Sequence, residues 1–242
     1  MEYVTDALVL RGVDYKDNDK ILTLFSAERG KFTAGIRGVR KNGAKLRFSA
    51  EPFAFCEYVI AEKGARRTVT GATLHDGFYS LRTDIEKYYA ACSVAEVCSI
   101  VLPEGLPGGG FFIDAVNAVK NVAYADEKLA LVDFLLSALD FSGFRLDLSS
   151  CGSCGGEIIP DQKAYFDFSS GRFSCETCRV GTRVSGCTLE LLKARSGMAH
   201  EKELLTSEAP VRALRLLRTY FCGRTESDLP ALGEYLKILS GN

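Results

Sequence analysis

The stretch DKILTLFSAERGKFTAGI, from Asp19 to Ile36, decides how the amino-terminal third of this chain folds. Within it Ile21–Ser26 and Lys31–Ile36 are short runs rich in Ile, Leu, Thr and Phe, joined by Ala27-Glu28-Arg29-Gly30. Such runs form strands, and a four-residue link ending in glycine, which tolerates positive φ, signals a tight hairpin. Working outward, Ala7–Val13 precedes the pair, and Phe53–Ala61 and Arg67–Thr73 follow, each bounded by turn residues. Five short strands at this spacing suit a small closed or nearly closed barrel, with the five-stranded Greek-key OB-fold as the leading case. Residues 1–80 are therefore read as an OB-fold domain.

From Leu81 the period changes. Thr83-Asp84-Ile85-Glu86 is a capping signature before an apolar stretch that runs to Leu102 and stops at Pro103. Phe111–Ala123 and Glu127–Phe141 continue at helical spacing, the latter with Leu129, Val132, Leu135, Leu136 and Leu139 on one face. Helical spacing returns at Thr188–Ala194, Val211–Phe221 and Leu229–Leu239. The expected architecture is α+β and multidomain: the barrel, a helical domain formed by 81–148 and 187–242, and a four-cysteine, zinc-ribbon-like insert at 149–186.

That insert holds the most specific local pattern. Cys151-Gly-Ser-Cys154, then twenty residues, then Cys175-Glu-Thr-Cys178 is a paired C-x2-C arrangement. Each pair points two sulfurs at one place, and two pairs complete a tetrahedral site of four thiolates with no open position. Lys163–Phe168, the turn Ser169-Ser170-Gly171 and Arg172–Ser174 read as the hairpin between them. One structural Zn2+ is expected there, contributing on the order of 10 kcal/mol to a segment poor in apolar residues. Two local disulfides or unligated cysteines are the alternative. Cys56, Cys92, Cys98, Cys187 and Cys222 sit in apolar surroundings and read as small core residues.

Charge narrows the partner. The whole chain has 30 Lys+Arg against 31 Asp+Glu, a net −1, which by itself argues against a polyanion. Yet Arg29–Ala50 contains seven basic residues and no acidic one, so the other 220 residues carry 23 basic and 31 acidic, a net −8. A local stripe attracts polyanions whatever the global sum. Lys31, Arg37, Arg40, Lys41, Lys45 and Arg47, extended by Arg66 and Arg67, are the candidate nucleic-acid contacts; a solvated loop is the bland alternative. Phe32, Phe48, Phe53, Phe55 and Tyr58 interleave with the stripe and are chiefly barrel core, with one or two available to stack on bases. Arg212, Arg215 and Arg218 share a helix face and form either a charged outer surface or a basic rim for an acidic peptide tail.

Several classes fall away. No stretch free of Asp, Glu, Lys and Arg exceeds nine residues, so no membrane helix is expected. Met1–Leu10 does not read as a secretory leader, which places the protein in the cytoplasm. Phosphate-binding, dinucleotide-binding and nucleophile-elbow glycine motifs are all missing from the sequence. His75 and His200 lie in ordinary contexts, so no enzyme is expected. Asp14–Lys20 lacks the glycine and terminal glutamate of an EF-hand and reads as a hairpin turn.

The motifs Asp6-Ala-Leu-Val-Leu10, Asp14-Tyr15, Asp19-Lys-Ile-Leu-Thr-Leu-Phe25, Glu28-Arg-Gly-Lys31, Gly35-Ile-Arg-Gly-Val-Arg-Lys41 and Pro52-Phe53 resemble the bacterial RecO family of recombination mediators and DNA-repair proteins. Chain length and the four cysteines fit the same family. The resemblance implies single- and double-stranded DNA binding, annealing of complementary strands, and cooperation with RecR to load RecA onto strands coated by single-strand DNA-binding protein. It also implies that protein's acidic C-terminal tail as a partner and a nucleoid-associated place in the cytoplasm. The basic barrel positions would be DNA contacts, and Cys151, Cys154, Cys175 and Cys178 metal ligands. After Arg40 the run Lys41-Asn-Gly-Ala-Lys45 departs from the Pro/Ser-containing stretch commoner in that family. An RNA-binding or transcription-associated OB and zinc-ribbon protein is the alternative reading.

Overall fold

A computed structural model describes residues 1–158, 163–198 and 208–241; His200 lies outside the described residues. The chain divides into two compact units, Met1–Ala125 and Asp126–Asn242.

In the first unit, β1 (Glu2–Tyr15), β2 (Asp19–Ser26), β3 (Gly30–Ile36), β4 (Phe55–Lys63) and β5 (Arg66–Asp76) close a barrel in the order β1-β2-β3-β5-β4. The long β1 pairs with β4 over Glu2–Leu8 and with β2 over Leu8–Tyr15, and an irregularity between Val9 and Arg11 bends it from one partner to the other. The decisive pairing is β3 with β5, parallel at Gly35↔Thr68 and Ile36↔Val69. A parallel neighbour cannot be reached by a hairpin, so the chain crosses the barrel end through residues 37–54 before β4 and β5 return as a hairpin. This is the OB-fold closure.

Alternation explains the core. Leu22 and Leu24 of β2, and Phe32, Ala34 and Ile36 of β3, point inward and are buried with Tyr58, Ile60 and Val69, while Thr33 between them is exposed. At the β2–β3 turn Gly30 adopts φ +60°, and a Cβ there would lie 1.7 Å from the Leu106 carbonyl oxygen, so only glycine fits.

Two helices share this unit, α1 (Ile85–Val101) and α2 (Gly110–Tyr124). Asp84 caps α1 by accepting from the Glu86 and Lys87 amides. Phe25 points out of the barrel yet is fully buried, because its ring meets Phe111 and Phe112 of α2 at 6.2 and 5.3 Å. The compact unit thus ends after α2, although the helical spacing itself begins near residue 81.

The second unit contains α3 (Glu127–Phe141), α4 (Gly186–Arg195), α5 (Ala209–Thr225) and α6 (Pro230–Ile238). Between α3 and α4 lies a small sheet of β6 (Ala164–Asp167), β7 (Arg172–Ser174) and β8 (Thr182–Val184) in the order β7-β6-β8. The expected hairpin is β6–β7; β8 is additional, three residues too short to show alternation. Phe166 joins the sheet to α5, its ring 4.8 Å from Phe173 and 5.3 Å from Tyr220. No helix among the described residues is long and apolar enough to cross a membrane.

Candidate nucleic-acid interface and metal centre

The barrel carries a groove of about 450 Å3 across β2 and β3, flanked by the β1–β2 turn and the β4–β5 turn. Its lining includes the short-chained Gly35 and Ala65 together with Tyr15, Lys16, Lys20, Ile21, Arg37 and Arg66. A hollow lined by Lys16, Asp17, Asn18, Asp19, Arg37, Gly38 and Lys41 continues from it. Together the two are lined by six basic residues, Lys16, Lys20, Arg37, Lys41, Arg66 and Arg67, against Asp17 and Asp19. Asp19 is occupied, since its Oδ1 accepts from the Gly38 amide at 2.8 Å and so fixes the chain leaving β3. Lys20, Arg37 and Arg66 have no acidic partner among the described residues. Cations held apart without acids keep their full charge for an external anion.

The expected contacts therefore divide. Arg37, Lys41, Arg66 and Arg67 line the groove and its continuation, though Arg67 also pairs with Glu62 at 3.0 Å. Arg40 folds back onto Asp14 at 3.1 Å, and Arg47 faces Glu51 at 3.9 Å. Lys45 is exposed on the 37–54 connection. Lys31 turns to another part of the unit, where its ammonium donates to the Ser99 carbonyl of α1. Of the interleaved aromatics, Phe32, Phe53 and Tyr58 are buried, Phe48 and Phe55 half-buried. Tyr58 donates its hydroxyl to the Ser49 carbonyl at 2.6 Å, which satisfies a polar group inside an apolar barrel. Missing from the expected set are Tyr15, Lys16 and Lys20. They belong to Asp14–Lys20, where three aspartates mask the lysines; the usable signal is position, because that segment joins the first two strands of the barrel.

In the second unit Cys151, Cys154, Cys175 and Cys178 bring their sulfurs within 4.8 Å of one another. Each pair is built on a tight turn. Gly155 donates its amide to the Cys151 carbonyl, and Arg179 donates to the Cys175 carbonyl, with left-handed backbone at Gly155 and Arg179. The Gly152 amide donates to the Phe173 carbonyl, so the first turn is anchored on β7 beside the second. The Cys154 and Cys175 sulfurs are 3.8 Å apart. That exceeds a disulfide bond of about 2.05 Å and equals the edge of a tetrahedron with metal–sulfur bonds near ~2.3 Å. Backbone amides, that of Cys154 first and then that of Cys175, bring the Cys151 thiol down to about 6, and the amides of Cys178 and Thr177 lower Cys175. Cys178, whose proton is shared first with Cys175 and then with Cys154 and Cys151, is pushed up to about 12. Four sulfurs so placed can hold one metal ion, and thiolate is the form that binds it.

The other five cysteines stay out of this cluster. Burial pushes the Cys56 and Cys92 thiols up to about 11 and raises Cys98 further, as expected of inert packing groups. The three α5 arginines are engaged within their own unit: Arg212 with Glu208, Arg215 with the Ser240 hydroxyl at 2.7 Å, and Arg218 with Asp228 at 3.0 Å.

Fold and sites define a class: OB-barrel proteins with a helical body and a four-cysteine metal-binding module. Within that class, residues 1–78 match the family model described as "Recombination protein O N terminal" and residues 82–232 the one described as "Recombination protein O C terminal". The chain belongs to the RecO family of DNA-repair proteins. It is 31% identical to the DNA repair protein RecO of Desulforamulus reducens over 225 residues, covering 90% of this chain and 88% of the relative. It is 29% identical to the protein of the same name from Desulfitobacterium hafniense over 232 residues, 92% of this chain and 85% of the relative. The RecO of Myxococcus xanthus matches at 31% over 185 residues, 76% and 75% of the two chains.

Proposed function

We propose that this chain is a recombination mediator that binds single- and double-stranded DNA without sequence preference and anneals complementary strands. With RecR it helps load RecA onto strands coated by single-strand DNA-binding protein. The observation that carries the binding step is the groove across β2 and β3, where Lys20, Arg37 and Arg66 stand without acidic partners among the described residues, beside Lys16 and Lys41. Phosphates neutralised there release counterions, and that release favours binding whatever the bases. Annealing then needs no bond to break: two strands whose charge is screened on one surface repel each other less and pair. In this reading one zinc ion joins Cys151, Cys154, Cys175 and Cys178 in a closed, structural site. Arg212, Arg215 and Arg218 remain candidates for the acidic tail, which would have to compete with their present partners.

With about six phosphates neutralised on a single strand, log K falls with log salt at a slope near −4. Charge reversal at Lys20, Arg37 and Arg66 together removes three of those contacts and flattens the slope by about 2. It lowers affinity equally for unrelated sequences. A slope near zero for the native chain, or no change in the triple variant, rejects the groove. Competition with RNA of equal length separates DNA from RNA as the ligand, and preference for RNA would favour the transcription-associated alternative.

A further inference from the structure

The groove holds one aromatic side chain among its lining residues, and that ring is not part of the core. Tyr15 ends β1 where it pairs with Asp19 of β2, and 46% of its surface is exposed. Its hydroxyl has no hydrogen-bond partner among the described residues, so no polar contact accounts for leaving it there. The other exposed tyrosines lie outside the groove: Tyr124 donates to Asp76, Tyr79 lies under the Arg82 guanidinium at 4.9 Å, and Tyr88 packs edge-on against Phe53. The Lys16 ammonium sits 5.3 Å from the centroid of the Tyr15 ring, and Ile21, 37% exposed, also lines the groove. A half-exposed ring with a lysine over it, an exposed apolar side chain, a glycine at 35 and several cations lining one groove are the components of a stacking site beside a phosphate track.

From these features we infer that Tyr15 is the base-stacking platform of the groove and sets its preference for single strands over duplex. The inference rests on the groove being the nucleic-acid site and adds which chemical group of the ligand is read there. A duplex base is already stacked on both neighbours and presents only phosphates to the cations. An unpaired base can turn its π-face to Tyr15 while the flanking phosphates meet Lys16, Lys20 and Arg37.

Because the ring is exposed and unbonded, Tyr15→Ala leaves the fold intact, which an unchanged thermal transition verifies. The variant is expected to lose roughly 5- to 100-fold in affinity for a single-stranded oligothymidylate. Affinity for a duplex of equal length stays within about twofold, and the salt slope is unchanged because no phosphate contact is lost. Tyr15→Phe retains the native preference. An abasic oligonucleotide, with the same phosphates and no bases, binds the native chain and Tyr15→Ala alike. The sequence contains no Trp, so Tyr15→Trp supplies a single reporter whose emission is quenched when oligothymidylate stacks on it. Equal losses on single strand and duplex, no loss at all, or no quenching overturns the inference. Those results leave the groove reading standing as long as charge reversal at Lys20, Arg37 and Arg66 still lowers affinity and flattens the salt slope; if it does not, the groove reading has failed by itself.

Discussion

The barrel and the cysteine module are both small β structures, yet they are held together by different physics. The barrel closes on itself, so its strands have no free edge, and one continuous interior of Leu22, Leu24, Phe32, Ile36, Tyr58 and Ile60 fills it. The module has three strands of three or four residues and few buried apolar side chains, chiefly Ile158, Ala164, Phe166, Phe173 and Val184. What it has in addition is four sulfurs converging on one point and the ring of Tyr220 from α5. The difference explains where a ligand can go. A barrel stabilised from within can leave its outer face to solvent and cations, whereas four sulfurs converging on one point can hold a metal ion but leave no ligand position for anything else. An open groove and a four-sulfur cluster are the two outcomes.

Removing the metal is the strongest way to break the comparison. Elemental analysis is expected to find about one zinc per chain, and replacing all four cysteines by serine, or chelation, should release residues 149–186 from protection against hydrogen exchange. Residues 1–76 should keep their protection, and oligonucleotide affinity should keep its salt slope. Persistent protection of the module without metal would mean that Phe166, Phe173 and Tyr220 suffice. Loss of protection in the barrel would mean that the two regions are not independent.

The converse experiment acts on the barrel. Leu24 is fully buried among facing strands, so Leu24→Ala should cost about 2–5 kcal/mol through lost burial and the cavity left behind. Denaturant unfolding followed by a probe in residues 1–76 should show that loss with and without chelator alike. A loss that appears only in the metal-free protein would merge the two regions into one cooperative unit.

How much of this was legible in the sequence follows the same division. Strand runs in the barrel overlap the observed elements because β-branched and aromatic residues bounded by turn residues are a local signal, while β1 begins five residues before its run. The convergence of the four cysteines was legible from spacing alone, since C-x2-C fixes turn geometry. The groove on the barrel was only half legible. Arg37, Lys41 and Arg66 line the groove and its continuation, but Lys31 is spent on the Ser99 carbonyl, and Arg40 and Arg47 lean on acids brought from Asp14 and Glu51. Pairing of that kind is a property of the closed barrel, and a run of basic residues does not announce which of its members will find an acid. Tyr15, Lys16 and Lys20 were hidden for the opposite reason, among three aspartates, of which Asp14 pairs with Arg40 and Asp19 accepts from the Gly38 amide.

The smallest expected effect sharpens the line between groove and flank. Arg40 and Arg47 expose 39% and 68% of their side chains, and each faces a carboxylate, with Glu51 shared between Arg47 and Arg82. Exposed pairs of this kind contribute about 0.2–1 kcal/mol, so Arg40→Ala and Arg47→Ala should barely move the thermal transition. Their effect on DNA is the more telling reading. A cation already answered by an acid offers a phosphate less, because the acid must be left behind, so the salt slope should hold in both variants. Arg37→Ala, by contrast, should flatten the slope by about 0.7, the contribution of one phosphate on a single strand. If Arg40→Ala or Arg47→Ala flattens it as much as Arg37→Ala does, the strand leaves the groove over the 37–54 connection, and the ion pairs with Asp14 and Glu51 open when it binds.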